Sequence, residues 1–148
     1  MITAEDIIAV ICDMLKPLRQ HYVLKMPRPL VGFINEESHC IKARPLIKND
    51  NFRGYTEFID INLYDAELLI HARGTISKFD MSIESISSKI SLMHSLDEIF
   101  KEIINTFIKF EREELRKYRT VSKRLVHRTG YDMHIVERIN FLSKLIGE

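Results

Sequence analysis

The sequence predicts an α+β fold in a single domain, and three observations support that class. A strict alternation of apolar and polar residues at 57–63 is typical of a strand with one buried face. A long amphipathic helix is indicated at about 96–124, and helical apolar spacing also occurs near both ends of the chain. Neither repeats nor low-complexity linkers divide the 148 residues. We therefore expect an N-terminal helix, a small mainly antiparallel sheet, the long amphipathic helix and a short C-terminal helix in one domain over 1–148.

The first helix is expected to begin at Thr3, whose hydroxyl can accept a hydrogen bond from a free amide of the first turn. Apolar residues then recur at helical spacing from Ile7 to Leu18, which predicts one buried face. Pro17 limits the regular helix to about residue 16, because its ring disfavours helical geometry at the residue before it.

The sheet is predicted from the middle of the chain. Short apolar runs between prolines and glycines favour strands or extended segments near 30–34 and 39–44. The clearest strand has Ile59, Ile61 and Leu63 on one side, and further strands at about 67–73 and 75–81 would complete a meander, although 65–72 could instead form a helical turn. Residues 82–94 combine isoleucines at helical spacing with five serines, so a short helix and an ordered connector are both consistent with them.

The last third of the chain is predicted to be helical. Ser95 and Glu98 form the capping-box pattern at the start of the long helix. Gly130 marks a break, after which Asp132 is expected to cap a final helix whose own apolar side runs up to Gly147.

Composition excludes several classes of protein. No run approaches the roughly 18 apolar residues that a membrane span needs, and the N-terminus lacks the basic start of a signal peptide, so we expect a cytoplasmic protein that does not contact membranes. The two cysteines are far apart, the histidines show no metal-binding spacing, and no glycine-rich phosphate loop exists. The sequence therefore predicts no catalytic residue, no cofactor and no metal.

The net charge of +1 hides an uneven distribution of charge along the chain. Residues 55–108 carry four cations against nine carboxylates, whereas residues 109–128 carry eight cations against three. Within the second segment, one face of the long helix holds five cations at spacings of 3, 4, 3 and 4. We call Lys109, Arg112, Arg116, Arg119 and Lys123 the cationic ridge. At about 1.5 Å per residue the ridge is about 20 Å long, which predicts contact with nucleic acid or an acidic protein. The alternative is that the cations form a solvated helix face that binds no partner.

Glu111 and Glu114 project into the apolar stripe of the same helix, where burial of an unpaired carboxylate is costly. Two explanations follow. Either the distal part of the helix, about 111–128, projects from the core, or the two carboxylates meet cations from elsewhere in the chain. A projecting segment would expose an apolar edge that favours self-association. That edge consists of Leu115, Tyr118, Val121 and Leu125.

The function that these patterns favour is a non-enzymatic binding or assembly module that uses the cationic ridge against nucleic acid or an acidic protein. The first alternative is a structural subunit of a homo-oligomer or a larger assembly, such as a viral particle, in which the ridge docks on the acidic 55–108 region of a neighbour. The second is a small enzyme with a dispersed site, for example His71, Tyr55 and Arg73, which spacing along the sequence cannot reveal.

Overall fold

The computed structural model describes residues 4–25, 40–46, 55–64, 66–76, 81–122 and 130–148. Within these ranges the chain forms three α-helices, one short 3-10 helix and five strands, which confirms the predicted α+β class. The elements are α1 (Ala4–Met14), the 3-10 helix (Lys16–Gln20), β1 (Tyr22–Lys25), β2 (Cys40–Pro45), β3 (Tyr55–Tyr64), β4 (Glu67–Ile76), β5 (Met81–Ser91), α2 (Leu96–Ser122) and α3 (Tyr131–Leu145).

The five strands form one antiparallel sheet in the order β1-β2-β3-β4-β5, so each strand pairs with its neighbour in the sequence. In the register of the central strands, Ile61 lies opposite both Ile41 and Ile70. These three side chains are fully buried, because successive residues of a strand alternate between its faces. The inner face of the sheet is therefore apolar, and the outer face carries exposed residues such as Phe58 and Tyr64.

Helix α2 packs on the inner face of the sheet beside β4 and β5, and α3 packs against α2. Helix α2 contributes a row of fully buried apolar side chains to the core, including Ile103, Phe107 and Phe110. Burial of each such side chain stabilises the fold by about 1.5–3 kcal/mol. Residues of α1 and α3 join the same core, so the sheet and the helices share one apolar interior.

The strand β5 corrects the prediction for the serine-rich segment 82–94, which is neither a helix nor a connector up to Ser91. Its register explains the error. Ile86 lies opposite Ala72 and Ile83 opposite Gly74, so β5 holds one more residue than β4 between these pairs. Such a bulge lets two residues three apart in the sequence oppose the same side of the neighbouring strand, and this mimics helical spacing. The third strand, predicted at 75–81, accordingly lies further along the chain.

One of the two helix caps predicted in the last third of the chain is present, and the other is not. The Glu98 amide donates to Ser95 Oγ at 3.2 Å, as the capping-box pattern predicts. The Glu98 carboxylate instead lies 2.7 Å from His94 Nδ1. The expectation that Asp132 caps the last helix is wrong, because the helix begins at Tyr131 after Gly130, which has φ 76°, and Asp132 lies in the first turn. Thr3 and the strand expected near 30–34 lie outside the described residues. No helix in the described ranges is long and apolar enough to cross a membrane.

Candidate functional site

The cationic ridge lies on the exposed side of α2. Lys109, Arg112, Arg116 and Arg119 are exposed, and Lys123 lies outside the described residues. Two of the four cations face carboxylates: Arg116 Nε donates to Glu113 at 3.2 Å, and Arg119 Nε lies 3.8 Å from Asp132. Among the residues that the structure describes, no carboxylate is within ion-pair distance of Lys109 or Arg112. The ridge therefore combines partly neutralised cations with two that have no acidic neighbour in those ranges.

The four residues of the apolar edge predicted for self-association differ in their burial and in whether the structure describes them. Tyr118 is only 1% exposed and packs edge-on against the ring of Tyr131, with 6.0 Å between the ring centroids. Leu115 is half-buried against the core. The side chain of Val121 and the whole of Leu125 lie outside the described residues. Up to Tyr118, then, α2 does not project from the core, and Tyr118 is not available to a partner. Self-association stays a prediction for the other three residues.

The two glutamates of the apolar stripe are buried, and they meet a cation from α3. Arg138 Nη2 lies 2.9 Å from Glu111 Oε2 and 3.7 Å from Glu114 Oε2. The same atom lies 2.8 Å from Oε1 of a third buried carboxylate, Glu57 of β3. We call these four residues the carboxylate–arginine cluster. Of the two explanations for Glu111 and Glu114, the second is the one that the structure shows.

Each member of the cluster reaches it through the ordinary geometry of its element. Glu57 occupies an inner-face position of β3, in step with Ile59 and Ile61. Glu111 and Glu114 are three residues apart, which places them on the same side of α2. Arg138 lies on the side of α3 that also buries Ile135 and Leu142. Three separate elements thus direct polar groups to one point of the core.

Two tyrosines add hydrogen bonds to the cluster. Tyr22 Oη donates to Glu111 Oε1 at 2.8 Å, and Tyr131 Oη donates to Glu57 Oε1 at 3.0 Å. With two bonds from Arg138, both oxygens of Glu111 are satisfied. Oε2 of Glu57 and both oxygens of Glu114 have no hydrogen-bond donor among the described residues. Buried acceptors of this kind are costly when they are left unpaired.

The three carboxylates of the cluster outnumber its one guanidinium. Three ionised carboxylates against one guanidinium would bury two excess negative charges. Burial, followed by the charge of Glu57, raises the pKa of Glu111 to about 8 despite Arg138. Burial and contact with Glu57 raise the pKa of Glu114 well above its ordinary value. The raised pKa values favour protonation within the cluster, which reduces its buried negative charge, and a proton on Glu114 would make this residue a donor toward Glu57.

The same three carboxylates are the residues in the described ranges that could hold a metal ion, since they offer oxygen atoms within 4.8 Å of one another. Carboxylate oxygens are ligands that hard cations such as Mg²⁺ and Ca²⁺ prefer. Arg138 Nη2, however, already lies within 3.7 Å of all three carboxylates. The guanidinium therefore supplies positive charge at the place where an ion would have to bind.

Two of the three residues suggested for a dispersed enzyme site, His71 and Arg73, lie on the outer face of the sheet. His71 Nδ1 lies 2.8 Å from Ser87 Oγ on the outer face of the sheet. Arg73, two residues further along β4, lines a cleft on that face. The side chain of Tyr55 is not among those described.

Sequence reasoning missed Glu57, Arg138 and the two tyrosines as partners of Glu111 and Glu114. A signal existed for Glu57, because it stands in step with the inward-facing isoleucines of β3. A signal also existed for Arg138, because its spacing from Ile135 and Leu142 places it on the apolar side of the last helix, although most arginines are solvated.

Comparison with known proteins finds no match for this chain among protein families, characterised proteins or solved structures.

Proposed function

We propose that the protein is a non-enzymatic binding module that contacts nucleic acid through the cationic ridge on α2. One observation carries the proposal: the buried glutamates of this helix are neutralised from the inside. Glu111 and Glu114 face Arg138 of α3 and not the ridge. The positive charge of Lys109 and Arg112 is therefore not neutralised by Glu111 or Glu114.

The shape of the ridge favours nucleic acid over an acidic protein patch. From Lys109 to Arg119 it follows one side of a single helix for about 15 Å. Duplex DNA carries one negative charge per about 1.7 Å of its axis, so several phosphates fall within that length. Arginine also suits phosphate, because its planar guanidinium can donate two parallel hydrogen bonds.

The enclosure of the carboxylate–arginine cluster supports a binding role over catalysis. The four members of the cluster are at most 4% exposed. A substrate could not reach these groups without an opening of the core. The exposed cations of α2 lie instead on the cationic ridge.

The proposal is tested by reversing the charge of three ridge residues together: Arg112→Glu, Arg116→Glu and Arg119→Glu. The matched control is Arg19→Glu, Lys89→Glu and Lys144→Glu, which changes the net charge equally at dispersed exposed positions. Binding to a labelled 20-base-pair duplex is measured by fluorescence anisotropy at several salt concentrations. If the three arginines contact phosphates, the ridge variant should bind at least about tenfold more weakly, and its log–log salt slope should shrink by about 2–3.

Three outcomes would contradict the proposal. Equal loss of affinity in the ridge variant and the control would show only an effect of net charge. Unchanged affinity and salt slope in the ridge variant would remove the ridge from the interface. A wild-type chain with no affinity for the duplex, but with salt-sensitive self-association that the ridge variant loses, would favour the structural subunit.

A further inference from the structure

A second basic surface lies on the outer face of the sheet, on the side opposite α2. It is a cleft of about 220 Å³ across β1 to β4, lined among others by Lys25, Lys42, Arg44, Arg73, Phe58 and Asp60. We call it the sheet cleft. All four cations are exposed. Four positive groups against one carboxylate make the cleft complementary to an anion.

Two cations of the sheet cleft are neighbours across adjacent strands. Lys25 of β1 is directly opposite Lys42 of β2, and like charges in such a cross-strand pair repel. Lys42 is opposite Asp60 of β3, the one carboxylate in this lining. In the part of the chain that the structure describes, no carboxylate comes within ion-pair distance of the four cations. A bound anion would relieve this repulsion.

An aromatic ring lies in the middle of these charges. Phe58 is 40% exposed on β3, and Arg73 of β4 is directly opposite it. On the other side of β3, strand β2 carries Arg44. A flat ring between two guanidinium groups can stack on a nucleobase while the arginines bind the adjoining phosphates.

We propose that the sheet cleft binds one nucleotide of a single-stranded nucleic acid, with its base on Phe58 and its phosphates on Arg44 and Arg73. The volume of the cleft suits a single unstacked base, whereas the bases of a duplex are stacked and cannot enter it. The inference rests on the proposed nucleic-acid partner, but it uses a different surface from the cationic ridge. The ridge would then hold the strand by charge, and the cleft would distinguish single strands from duplexes.

The test compares Phe58→Leu with the wild type, because leucine keeps apolar contact but cannot stack. The probe is a fluorescein-labelled ten-nucleotide oligodeoxythymidylate, with the 20-base-pair duplex as the second arm and thymidine monophosphate as competitor. We expect Phe58→Leu to weaken single-strand binding by about 5- to 100-fold and to leave duplex binding unchanged. Arg73→Glu should weaken single-strand binding as well. Lys89→Glu, on the outer face of β5 but outside the cleft, should change it less than twofold.

The two proposals fail in different ways. If Phe58→Leu binds the single strand as tightly as the wild type, the sheet cleft is not the site, whatever the ridge variant does. If the ridge variant loses no affinity for the duplex, the ridge fails while the effect of Phe58→Leu on the single strand can stand. Competition by thymidine monophosphate at the concentration of the oligonucleotide would overturn the assignment to a strand and indicate a free nucleotide. Thermal unfolding of each variant, monitored by circular dichroism, shows that the fold is intact.

Discussion

Arginine–glutamate ion pairs form on both sides of α2, but those on the inner side are buried and the one on the outer side is exposed to water. On the inner side, Arg138 is 4% exposed and lies among three carboxylates. On the outer side, Arg116 has a side chain that is 63% exposed and faces one carboxylate, Glu113. Water solvates the outer pair whether it is formed or broken, so the pair contributes little to stability. The inner groups have no such alternative, and removal of one partner leaves buried charge.

The comparison also separates structural charge from charge available to a partner. The carboxylate–arginine cluster can only be neutralised from within, by Arg138, by the two tyrosines and by protons. On the outer side the cations keep their hydration, and Arg116 and Arg119 can exchange their exposed carboxylate partners for another anion. We therefore expect substitutions in the cluster to change stability, and substitutions on the ridge to change binding.

The largest effect is expected for Arg138→Met. The substitution keeps much of the apolar stem but removes the one cation of the cluster, so it should lower the free energy of unfolding by about 3–5 kcal/mol. Urea denaturation at pH 7 measures this quantity.

Combining Arg138→Met with Glu57→Gln, which replaces the carboxylate 2.8 Å from Arg138 Nη2, tests whether the loss comes from uncompensated charge. The double variant should be less destabilised than the sum of the single variants, with a coupling of about 0.5–3 kcal/mol. Additive effects would mean that Arg138 stabilises the fold mainly by packing.

An intermediate effect is expected from pH. The pKa of Glu111 rises from an ordinary 4.5 to about 8 on folding, and the pKa of Glu114 also rises. Between these values the unfolded chain has released protons that the folded chain keeps. The contribution of these two groups to stability is therefore greatest on the acidic side and falls as the pH rises from about 4.5 to about 8, by about 1.4 kcal/mol per pH unit for each proton retained. Urea denaturation at pH 5, 6.5 and 8 follows this decline.

Glu114→Gln isolates one of these protons, because glutamine resembles a protonated glutamate and cannot ionise. Its stability should fall less steeply with pH than that of the wild type, so that the variant gains on the wild type toward pH 8. Parallel curves for the two proteins would contradict the retained proton on Glu114.

Most of the fold could be predicted from the sequence, but the cluster could be predicted only in part. Periodicity placed β3 and the long helix, because each has a regular apolar face. It failed at β5, where a bulge gave Ile83 and Ile86 a helical spacing. Glu111 and Glu114 stood out as carboxylates on an apolar stripe, yet their partner Arg138 follows them by more than twenty residues on another helix. Each helix shows locally that a charged residue lies on its apolar side, but no local pattern says which residues of the two helices pair, because that depends on how the helices pack.

The smallest effect is expected for Arg116→Met, the outer counterpart of Arg138→Met. Both substitutions remove a guanidinium from a helix and leave a similar stem, so they differ mainly in the access of water. Arg116 loses an exposed pair with Glu113, three residues before it on the same helix, and such pairs contribute about 0.2–0.5 kcal/mol. The free energy of unfolding should therefore change by no more than about 0.5 kcal/mol, and 1 M salt should reduce the difference further because it screens exposed charges. A loss as large as that of Arg138→Met would mean that the outer pair is shielded from water, and the contrast between the two sides of α2 would then fail.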